Sequence, residues 1–433
     1  MIKEKYIASC DSNHKTPTIH AFILLQMVSM SFRLFYWLRI SLFNLLLVAI
    51  IGLVLRYKIA FSLPIIDQKH LLHGHSHFAF TGWISMALMA FMVDYVGRKK
   101  EIDLFPKYNW LLWGNLITAY GMLLSFPFQG YGIFSISFST LSIFVSWIFT
   151  IQFWKELNGI KHNAIISYWF KAGLLFNAIS ALGAFSLAAM MANKIIHQNW
   201  YLLAVYFFLH FQYNGWFFFT CMGLFFDKAK NAIPYLKKQK QIFWIFATTC
   251  IPAYFLSALW LNMPIWAYSI IVMAAILQLY AWGTLLKQVF PKHKELSLQY
   301  AKPANWLLLF SGIALTIKFV LQATSTIPSI STLAFGFRPI VIAYLHLILL
   351  GVITIFILAN ILSSQVIIFN KKVLIGIFVF VFAIIFNECL LMTQGIAAIL
   401  ETSLEYINEL LLAAAILLVS GILLLNLGIK FRN

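Results

Sequence analysis

Charged residues are scarce in this chain, and acidic residues are the scarcest. Only 10% of the 433 residues are Asp, Glu, Lys or Arg, and 13 acidic side chains stand against 31 basic ones. A soluble globular protein carries roughly 25% charged residues, whereas 62% of this chain is apolar and its mean hydropathy is +0.87. The chain therefore lacks the polar surface of a soluble protein, and we expect an integral membrane protein in contact with the lipid bilayer.

Cysteine is also rare, and its placement argues against two further classes of protein. The four cysteines are Cys10, Cys221, Cys250 and Cys389. They form no CxxC pair, and three lie in apolar runs, so neither a disulfide framework nor a cysteine zinc site has support. The formal charge of +18 indicates basic cytoplasmic loops in a membrane chain, and we expect no nucleic-acid partner.

Apolar runs long enough to cross a membrane recur along the chain. A spanning helix needs about 20 apolar residues, and the runs predict twelve helices. Their ranges are 32–56, 69–95, 106–126, 130–153, 164–191, 200–226, 241–260, 264–286, 303–322, 338–361, 372–394 and 406–427. The predicted fold is all-α, a polytopic membrane protein with a single twelve-helix domain over 32–433. A cytoplasmic, amphipathic N-terminal segment, 1–31, precedes it.

Basic residues alternate between the two sides of the predicted helices. With the N-terminus in the cytoplasm, 24 Lys and Arg residues fall on the cytoplasmic side and 5 on the outer side. Lys318 lies within a span; we expect it to pair with Glu388, because an unpaired charge in the membrane is costly. The positive-inside rule predicts that both termini are cytoplasmic, in the cytoplasmic (inner) membrane of a bacterium.

Three histidines inside predicted helices share a local motif. His77, His210 and His346 are each followed five residues later by glycine, and they are 133 and 136 residues apart. Each interval covers four helices, so the motif falls on helices 2, 6 and 10 and predicts three pseudo-repeated four-helix arcs. A histidine in a membrane bundle can be an interhelical hydrogen-bonding residue. Three at matched depth favour ligands of a metal or haem, with each glycine leaving room for a flat group.

Predicted helix 2 is the richest in histidine, with His70, His73, His75 and His77. On a helix, His73 and His77 share a face, while His75 is rotated by about 200° from His77. One helix can thus present ligands to two groups on opposite sides. His70 and His73, near the helix end, can alternatively serve an interfacial role.

These residues resemble a known family. Twelve helices in three four-helix arcs resemble the catalytic subunit of haem-copper oxidases and nitric oxide reductases. The stretch His73-Gly-His75-Ser-His77-Phe-Ala-Phe-Thr-Gly82 is similar to the family's HxH helix, and Tyr344-Leu-His346 resembles an HxH helix that has lost its first histidine. The stretch 210–216 resembles the reductase helix that holds one ligand of the non-haem metal. A related family of haem- and copper-containing membrane proteins of the nitric oxide response is similar to the same degree.

The chain also departs from the family's pattern. The family usually carries its HxH pair on helix 10, not on helix 2. It places two adjacent histidines on helix 7, whereas predicted helix 7, 241–260, has none. Asn214 stands where the reductases have a glutamate. The dinuclear metal site of the family is therefore not reproduced, which puts catalysis in doubt.

The resemblance implies one or two haems of b type. We expect His77 and His346 to be the axial pair of one haem, since the family's low-spin haem joins the same two helices. Arg338, at the outer start of helix 10, is placed to bind haem propionates. His75 and His210 are the candidates for a second haem. His210 and His73 are the candidates for a metal ion, either copper or non-haem iron.

The expected function is that of a haem-binding membrane redox protein, an oxidoreductase of electron transfer, O2 or nitric oxide. Its partner would be an electron-donor protein or a quinone. Two alternatives stay open. One is a proton-coupled secondary transporter that uses the histidines as a proton relay, and the other is a haem-free accessory protein of a respiratory complex.

Overall fold

A computed structural model of the protein describes residues 17–160, 164–233, 238–331, 337–364 and 366–432, with side chains from Ser29 onward except those of residues 164 and 231. Within these ranges the chain forms helices joined by short connections, together with one pair of two-residue strands. Residues 1–16 of the predicted N-terminal segment lie outside the described residues. Residues 17–31 are helical and continue into the first long helix.

Twelve long helical runs follow one another in the described ranges. They are α1 (Pro17–Phe61), α2 (Gln68–Lys100), α3 (Phe105–Gln129), α4 (Ile133–Asn158), α5 (Ala164–Ala192), α6 (198–232), α7 (Gln239–Ala258), α8 (Ile265–Ser297), α9 (Lys302–Thr324), α10 (Arg338–Ser363), α11 (Lys371–Ile399) and α12 (Ile407–Gly428). The strands β1 (Ile367–Ile368) and β2 (Lys430–Phe431) pair antiparallel.

Eleven of these helices are long and apolar enough to cross a membrane. The remaining one, α6, is as long but carries His210, Gln212 and Asn214 near its centre, which makes that stretch less apolar. The prediction of an all-α, multi-pass membrane protein is confirmed. Lipid-facing side chains explain the many exposed aromatic and aliphatic residues, because a bilayer solvates them as well as a protein core does.

Three of the helices share a rare backbone feature at the histidine motif. The π-helical segments are Ala79–Ser85 in α2, Phe211–Phe217 in α6 and Leu347–Thr354 in α10. Each begins one or two residues after the motif histidine and contains the motif glycine. Isolated π turns are uncommon and concentrate at functional sites, so their recurrence at three matching positions supports a common origin for these helices.

Two tryptophans join the three helices through the same contact. Trp83 Nε1 of α2 donates to Thr354 Oγ1 of α10 at 3.0 Å, and Trp216 Nε1 of α6 donates to Ser85 Oγ of α2 at 3.0 Å. Both indoles come six residues after a motif histidine, and both hydroxyls come eight residues after one. The contact from α2 to α10 and the contact from α6 to α2 are therefore equivalent by sequence position.

The third contact, between α10 and α6, is apolar. Val352 of α10 lies six residues after His346, where α2 and α6 have tryptophan. Phe218 of α6 lies eight residues after His210, where α2 and α10 have a serine or threonine hydroxyl. Both side chains are buried. The π segments of α6 and α10 still touch each other. These three helices thus lie next to one another at the centre of the bundle.

The motif glycines make room for protein side chains. A Cβ atom on Gly82 would lie 2.7 Å from the ring of Phe78, and one on Gly215 would lie 2.5 Å from Cβ of Phe176 on α5. Neither distance is compatible with a side chain. The expectation that these two glycines leave space for a flat ligand is therefore wrong, because packed phenylalanines occupy that space.

Charged residues hold α2 and α6 together at one end. Arg98 Nε lies 2.8 Å from Asp94 Oδ2, and Arg98 Nη1 lies 3.4 Å from Asp227 Oδ2 on α6. Lys99 and Lys230 also pair with Asp227. This cluster lies at the basic, cytoplasmic end predicted from the sequence, and the histidines lie towards the other end.

Replacing Thr354 with valine tests the indole contacts. Thr354→Val leaves the buried Trp83 N–H without a partner, and we expect the free energy of unfolding to fall by about 1 kcal/mol. Ser85→Ala should have a similar effect through Trp216. Denaturant unfolding in detergent measures both. The control is Thr393→Val, whose exposed hydroxyl donates only to the Cys389 carbonyl of its own helix; losses no larger than those of the control would contradict the prediction.

Candidate functional site

A large cavity opens between the histidine-bearing halves of α2, α6 and α10. Its volume is about 1070 Å³, and α1, α4 and α5 complete its wall. Pockets for small molecules measure roughly 300–1,000 Å³, so the cavity is large enough for a macrocycle or for two smaller groups. Among the described residues that line it, the only Asp, Glu, Lys or Arg side chains are Arg56 and Arg338.

The start of α2 brings the histidine cluster to this cavity. Asp67 precedes the helix, and its carboxylate accepts a hydrogen bond from the His70 backbone N–H at 2.8 Å. This bond lowers the pKa of Asp67 and caps the helix, as an acidic N-cap residue does. His73, His75 and His77 follow within the next three turns, and all three line the cavity.

His75 lies against α1. A Cβ atom on Gly52 would come within 3.3 Å of His75 Cε1, so the absence of a side chain at Gly52 allows the ring to approach this helix. The buried Nδ1 atom has no hydrogen-bond partner among the described residues, although the Val48 carbonyl lies near the ring. The ring is within electrostatic range of His346 and Arg56.

His346 faces the same space from α10. Its Nδ1 lies 2.8 Å from the Ile342 carbonyl oxygen, and because a carbonyl only accepts, Nδ1 carries the proton. The lone pair is then on Nε2, the tautomer that binds metals once Nδ1 is held by a carbonyl. His75 is in electrostatic range of His346, and His75, His77 and His346 all line the cavity. The pairing of His77 with His346 stays a prediction, and His75 is the second α2 histidine available to pair with His346.

His77 and His73 lie on the other side of α2. The His77 ring stacks on Phe126 of α3, with centroids 4.6 Å apart and planes 17° apart, and no hydrogen bond to another described residue engages it. The His73 ring packs edge-on against Tyr131 at 4.7 Å. The predicted placement of His75 opposite His73 and His77 is confirmed, because His75 contacts α1 while the other two contact α3 and the residues after it.

His210 is satisfied within the protein. Its Nε2 donates to the Cys250 carbonyl oxygen at 2.8 Å, and its Nδ1 accepts from Asn214 Nδ2 at 3.1 Å. The side chain is buried and is not among the residues that line the cavity. This is the arrangement of an interhelical hydrogen-bonding histidine, and it leaves no ring nitrogen for the haem or metal predicted there.

The two predicted metal ligands lie at different sites. His73 lines the large cavity, whereas His210 lies between α6 and α7. Among the residues that the structure describes, no group of three or more His, Cys, Asp or Glu side chains is placed to hold a metal ion. A copper or non-haem iron site made of such a group therefore has no counterpart in the described part of the chain.

Two arginines approach the cavity. Arg338, at the first residue of α10, lines it as expected. Arg56 of α1 also lines it and is in electrostatic range of both His75 and His346. By sequence, Arg56 is one of the five basic residues predicted on the outer side, with no further role. Its position in an apolar span, four residues after Gly52 on the same helical face, is the signal that identifies it.

Lys318 and Glu388 do not pair as expected. The Glu388 carboxylate accepts from Asn387 Nδ2 at 3.0 Å and is in electrostatic range of Arg56. The Lys318 ammonium lies 4.2 Å from the centroid of the Phe319 ring and near His210. Glu388 thus lies near Arg56, while Lys318 lies near His210 of α6 and Cys250 of α7.

A second, smaller cavity adjoins His77. Its volume is about 80 Å³, and His77, Thr81 and Ser139 line both cavities. Its wall is polar for a membrane interior. Gln212 Nε2 donates there to Asn177 Oδ1 at 2.9 Å and to Ser180 Oγ at 2.7 Å. A water needs roughly 10–15 Å³ of such space, so the small cavity has room for several.

Comparisons with protein families and with curated proteins gave no match to this chain. The functional conclusion therefore depends on the geometry of the cavity.

His210 and His75 differ in their hydrogen bonds, so replacing each of them should change the free energy of unfolding by a different amount. His210→Leu leaves the Cys250 carbonyl and the Asn214 amide unpaired, and we expect a loss of about 1–3 kcal/mol of unfolding free energy. His75→Leu removes at most the contact of the ring with the Val48 carbonyl and should lower the free energy of unfolding by less than His210→Leu does, by about 1 kcal/mol or less. Denaturant unfolding of the protein without added ligand measures both. Equal losses of unfolding free energy in the two variants would show that the hydrogen bonds of His210 do not stabilise the fold more than the contacts of His75 do.

Proposed function

We propose that the protein is a haem-binding redox protein of the membrane and that His75 and His346 are the axial ligands of its haem. The observation that carries this proposal is the convergence of two imidazoles, from α2 and α10, on one cavity. Each ring has a nitrogen without a protein partner among the described residues. Haem iron takes imidazole nitrogens as axial ligands.

The surroundings of the two rings suit a haem. The Ile342 carbonyl fixes the His346 tautomer that has a free Nε2, and Gly52 lets His75 lie close to α1. Arg56 and Arg338 line the same cavity and are suitable partners for the two propionates, since guanidinium groups bind carboxylates with paired hydrogen bonds. Bound haem would supply one-electron redox chemistry, and the protein's part is to hold and tune it.

The proposed architecture is twelve spanning helices in three four-helix arcs, with both termini in the cytoplasm of a bacterium. The three π segments and the two equivalent indole contacts support the repeat. The excess of basic residues on one side supports the orientation. This architecture is similar to that of the catalytic subunit of haem-copper oxidases and nitric oxide reductases.

Electron transfer is the activity that the site supports best. The family resemblance includes O2 and nitric oxide chemistry at a dinuclear centre. Here α7 contains no histidine, and both nitrogens of His210 are engaged. We therefore propose a single b-type haem that exchanges electrons with a donor and an acceptor.

The absorption spectrum of the purified protein tests the haem. We expect a Soret band and an α band in the dithionite-reduced minus oxidised spectrum, with one haem per chain. His75→Ala and His346→Ala should each abolish the low-spin spectrum, because each removes one axial ligand. His77→Ala should retain it, as should the control His197→Ala at the outer start of α6.

Two results would count against this assignment. Folded wild-type protein without haem bands would favour the alternatives, a transporter or a haem-free accessory protein, in which the histidines bind no haem. Bands that are lost in His77→Ala but kept in His75→Ala would return the axial pair to His77 and His346.

The charges beside the cavity predict the direction of shifts in the reduction potential. Arg56→Gln removes a positive charge near the proposed haem. The removal favours the ferric state and should lower the midpoint potential by tens of millivolts. Redox titration of the α band measures the shift. Lys58→Gln, two residues after Arg56 and bonded to the Leu63 carbonyl, is the control; an unchanged potential in Arg56→Gln, or an equal shift in Lys58→Gln, would contradict the placement of Arg56 beside the haem.

A further inference from the structure

Basic side chains outnumber acidic ones where α2 and α6 lie together at the predicted cytoplasmic side. We call these basic side chains the basic cluster: Arg98 and Lys99 of α2, with Lys228 and Lys230 of α6. Two buried carboxylates, those of Asp94 and Asp227, lie among them. With its carboxylates, the cluster therefore carries an excess of two positive charges at neutral pH.

The Asp227 carboxylate is shared by three of the four cations. Its Oδ2 atom lies 3.4 Å from Arg98 Nη1, while its Oδ1 atom lies 3.5 Å from Lys99 Nζ and also pairs with Lys230 Nζ. Two ammonium groups thus meet at one carboxylate oxygen, and like charges at such short separations repel each other. The side chains of Arg98, Lys99 and Lys230 are 44%, 26% and 21% exposed, so an anion can reach them from outside.

Lys228 has a buried ammonium group that lacks an acceptor. No described residue, carboxylate or other, accepts a hydrogen bond from its Nζ atom. The ammonium lies 4.5 Å from the centroid of the Tyr300 ring and is in electrostatic range of Arg98, Asp94 and Asp227. A buried charge without a bonded partner is costly, so this position favours an anion that the protein holds there.

Two tyrosine hydroxyl groups beside the cluster are also buried and unpaired. They belong to Tyr95 of α2 and to Tyr300, in the connection between α8 and α9, and neither has a hydrogen-bond partner among the described residues. Both side chains are buried and in electrostatic range of Asp227. A phenol hydroxyl can donate to an anionic oxygen. Together with Lys228, three buried donors therefore lie near the same carboxylate.

No other carboxylate in the described part of the chain neutralises this excess of charge. At the same predicted side of the membrane, Asp103, Glu156 and Glu295 pair with basic residues outside the cluster. Glu101, which follows α2, is exposed to solvent. The residues directly after α6, 233–238, include none that is acidic. We therefore expect a bound ligand to supply the missing negative charge.

We propose that the basic cluster binds a phosphate group. The buried donors are the ammonium of Lys228 and the hydroxyls of Tyr95 and Tyr300, and the other three residues of the cluster close the site towards the cytoplasm. A phosphate has several oxygens that accept charge-assisted hydrogen bonds, so it can satisfy several of these donors at once. It belongs either to an anionic lipid of the inner leaflet or to a soluble phosphate, since both reach the cytoplasmic ends of membrane helices. This binding does not depend on the proposed haem.

Two binding measurements on the full-length protein test the proposal and separate the two sources of phosphate. Equilibrium dialysis of radiolabelled inorganic phosphate uses nanodiscs of phosphatidylcholine alone. Native mass spectrometry counts the phosphatidylglycerol molecules that stay bound after release from mixed discs of phosphatidylcholine and phosphatidylglycerol. We expect one phosphate group per chain from one source, and a roughly tenfold loss of affinity in Lys228→Met and in Tyr300→Phe. The control is Lys240→Met, which removes an exposed cation at the start of α7 and should bind as the wild type does.

Each outcome decides for or against the phosphate site. Saturable binding of inorganic phosphate assigns a soluble ligand, and retained phosphatidylglycerol assigns a lipid. Binding of neither would show that the buried donors bond only to water, and an equal loss in Lys240→Met would show unspecific attraction to basic residues; either result overturns the proposal.

Stability measurements separate a ligand-binding role of Lys228 from a structural one. Without phosphate or phosphatidylglycerol, Lys228→Met removes an unpaired buried charge and should not lower the free energy of unfolding; a clear loss would show that the ammonium already has a partner and would contradict the site. If Lys228→Met does not fold, Tyr300→Phe, which removes a single oxygen, decides. Phosphate binding by a protein without haem would leave this inference standing and remove the proposed function, whereas haem without phosphate binding would remove this inference alone.

Discussion

The ring nitrogens of a histidine inside a membrane need partners from the protein or from a bound ligand, because no bulk water is present to solvate them. This constraint separates four histidines that look alike in sequence. His210 meets it through the Cys250 carbonyl and the Asn214 amide. His75, His77 and His346 each keep a ring nitrogen that no described protein group engages, and all three line one cavity. The proposed function follows from that difference.

The three central helices, α2, α6 and α10, create three spaces between them, and the protein uses each in its own way. The space between α10 and α2 has two imidazoles and two arginines. The space between α2 and α6 has one imidazole, hydroxyl groups and no formal charge. The space between α6 and α10 is filled by buried side chains, among them Phe218 and Val352. The three helices thus border one charged space, one neutral space and one closed space.

The sequence was sufficient for much of this arrangement. Length and hydropathy predicted the helices, and helical geometry correctly placed His75 opposite His73 and His77. The contact of His75 with α1 could not be predicted, because it depends on how closely α1 approaches at Gly52. The bonding of His210 depends on the end of α7, where the N–H of Tyr254 donates to the Ile251 carbonyl and the Cys250 carbonyl is left to accept from the histidine. Phe176 fills the space at Gly215 from another helix, and no pattern within α6 reveals that.

The π segments have a geometric consequence for the whole bundle. A π turn holds one residue more than an α turn, so everything after it is rotated by about 100° relative to an uninterrupted helix. In α2 this rotation changes the face of the helix on which Trp83 and Ser85 lie relative to the histidines before them. Winding Ala79–Ser85 as a regular α-helix without removing a residue would turn the half of α2 that carries Asp94 and Arg98 by that angle, away from its neighbours, whereas deleting one residue there would leave both halves in register. The extra residue therefore offsets the sequence positions of the histidine-bearing half of the helix from those of the half that carries Asp94 and Arg98.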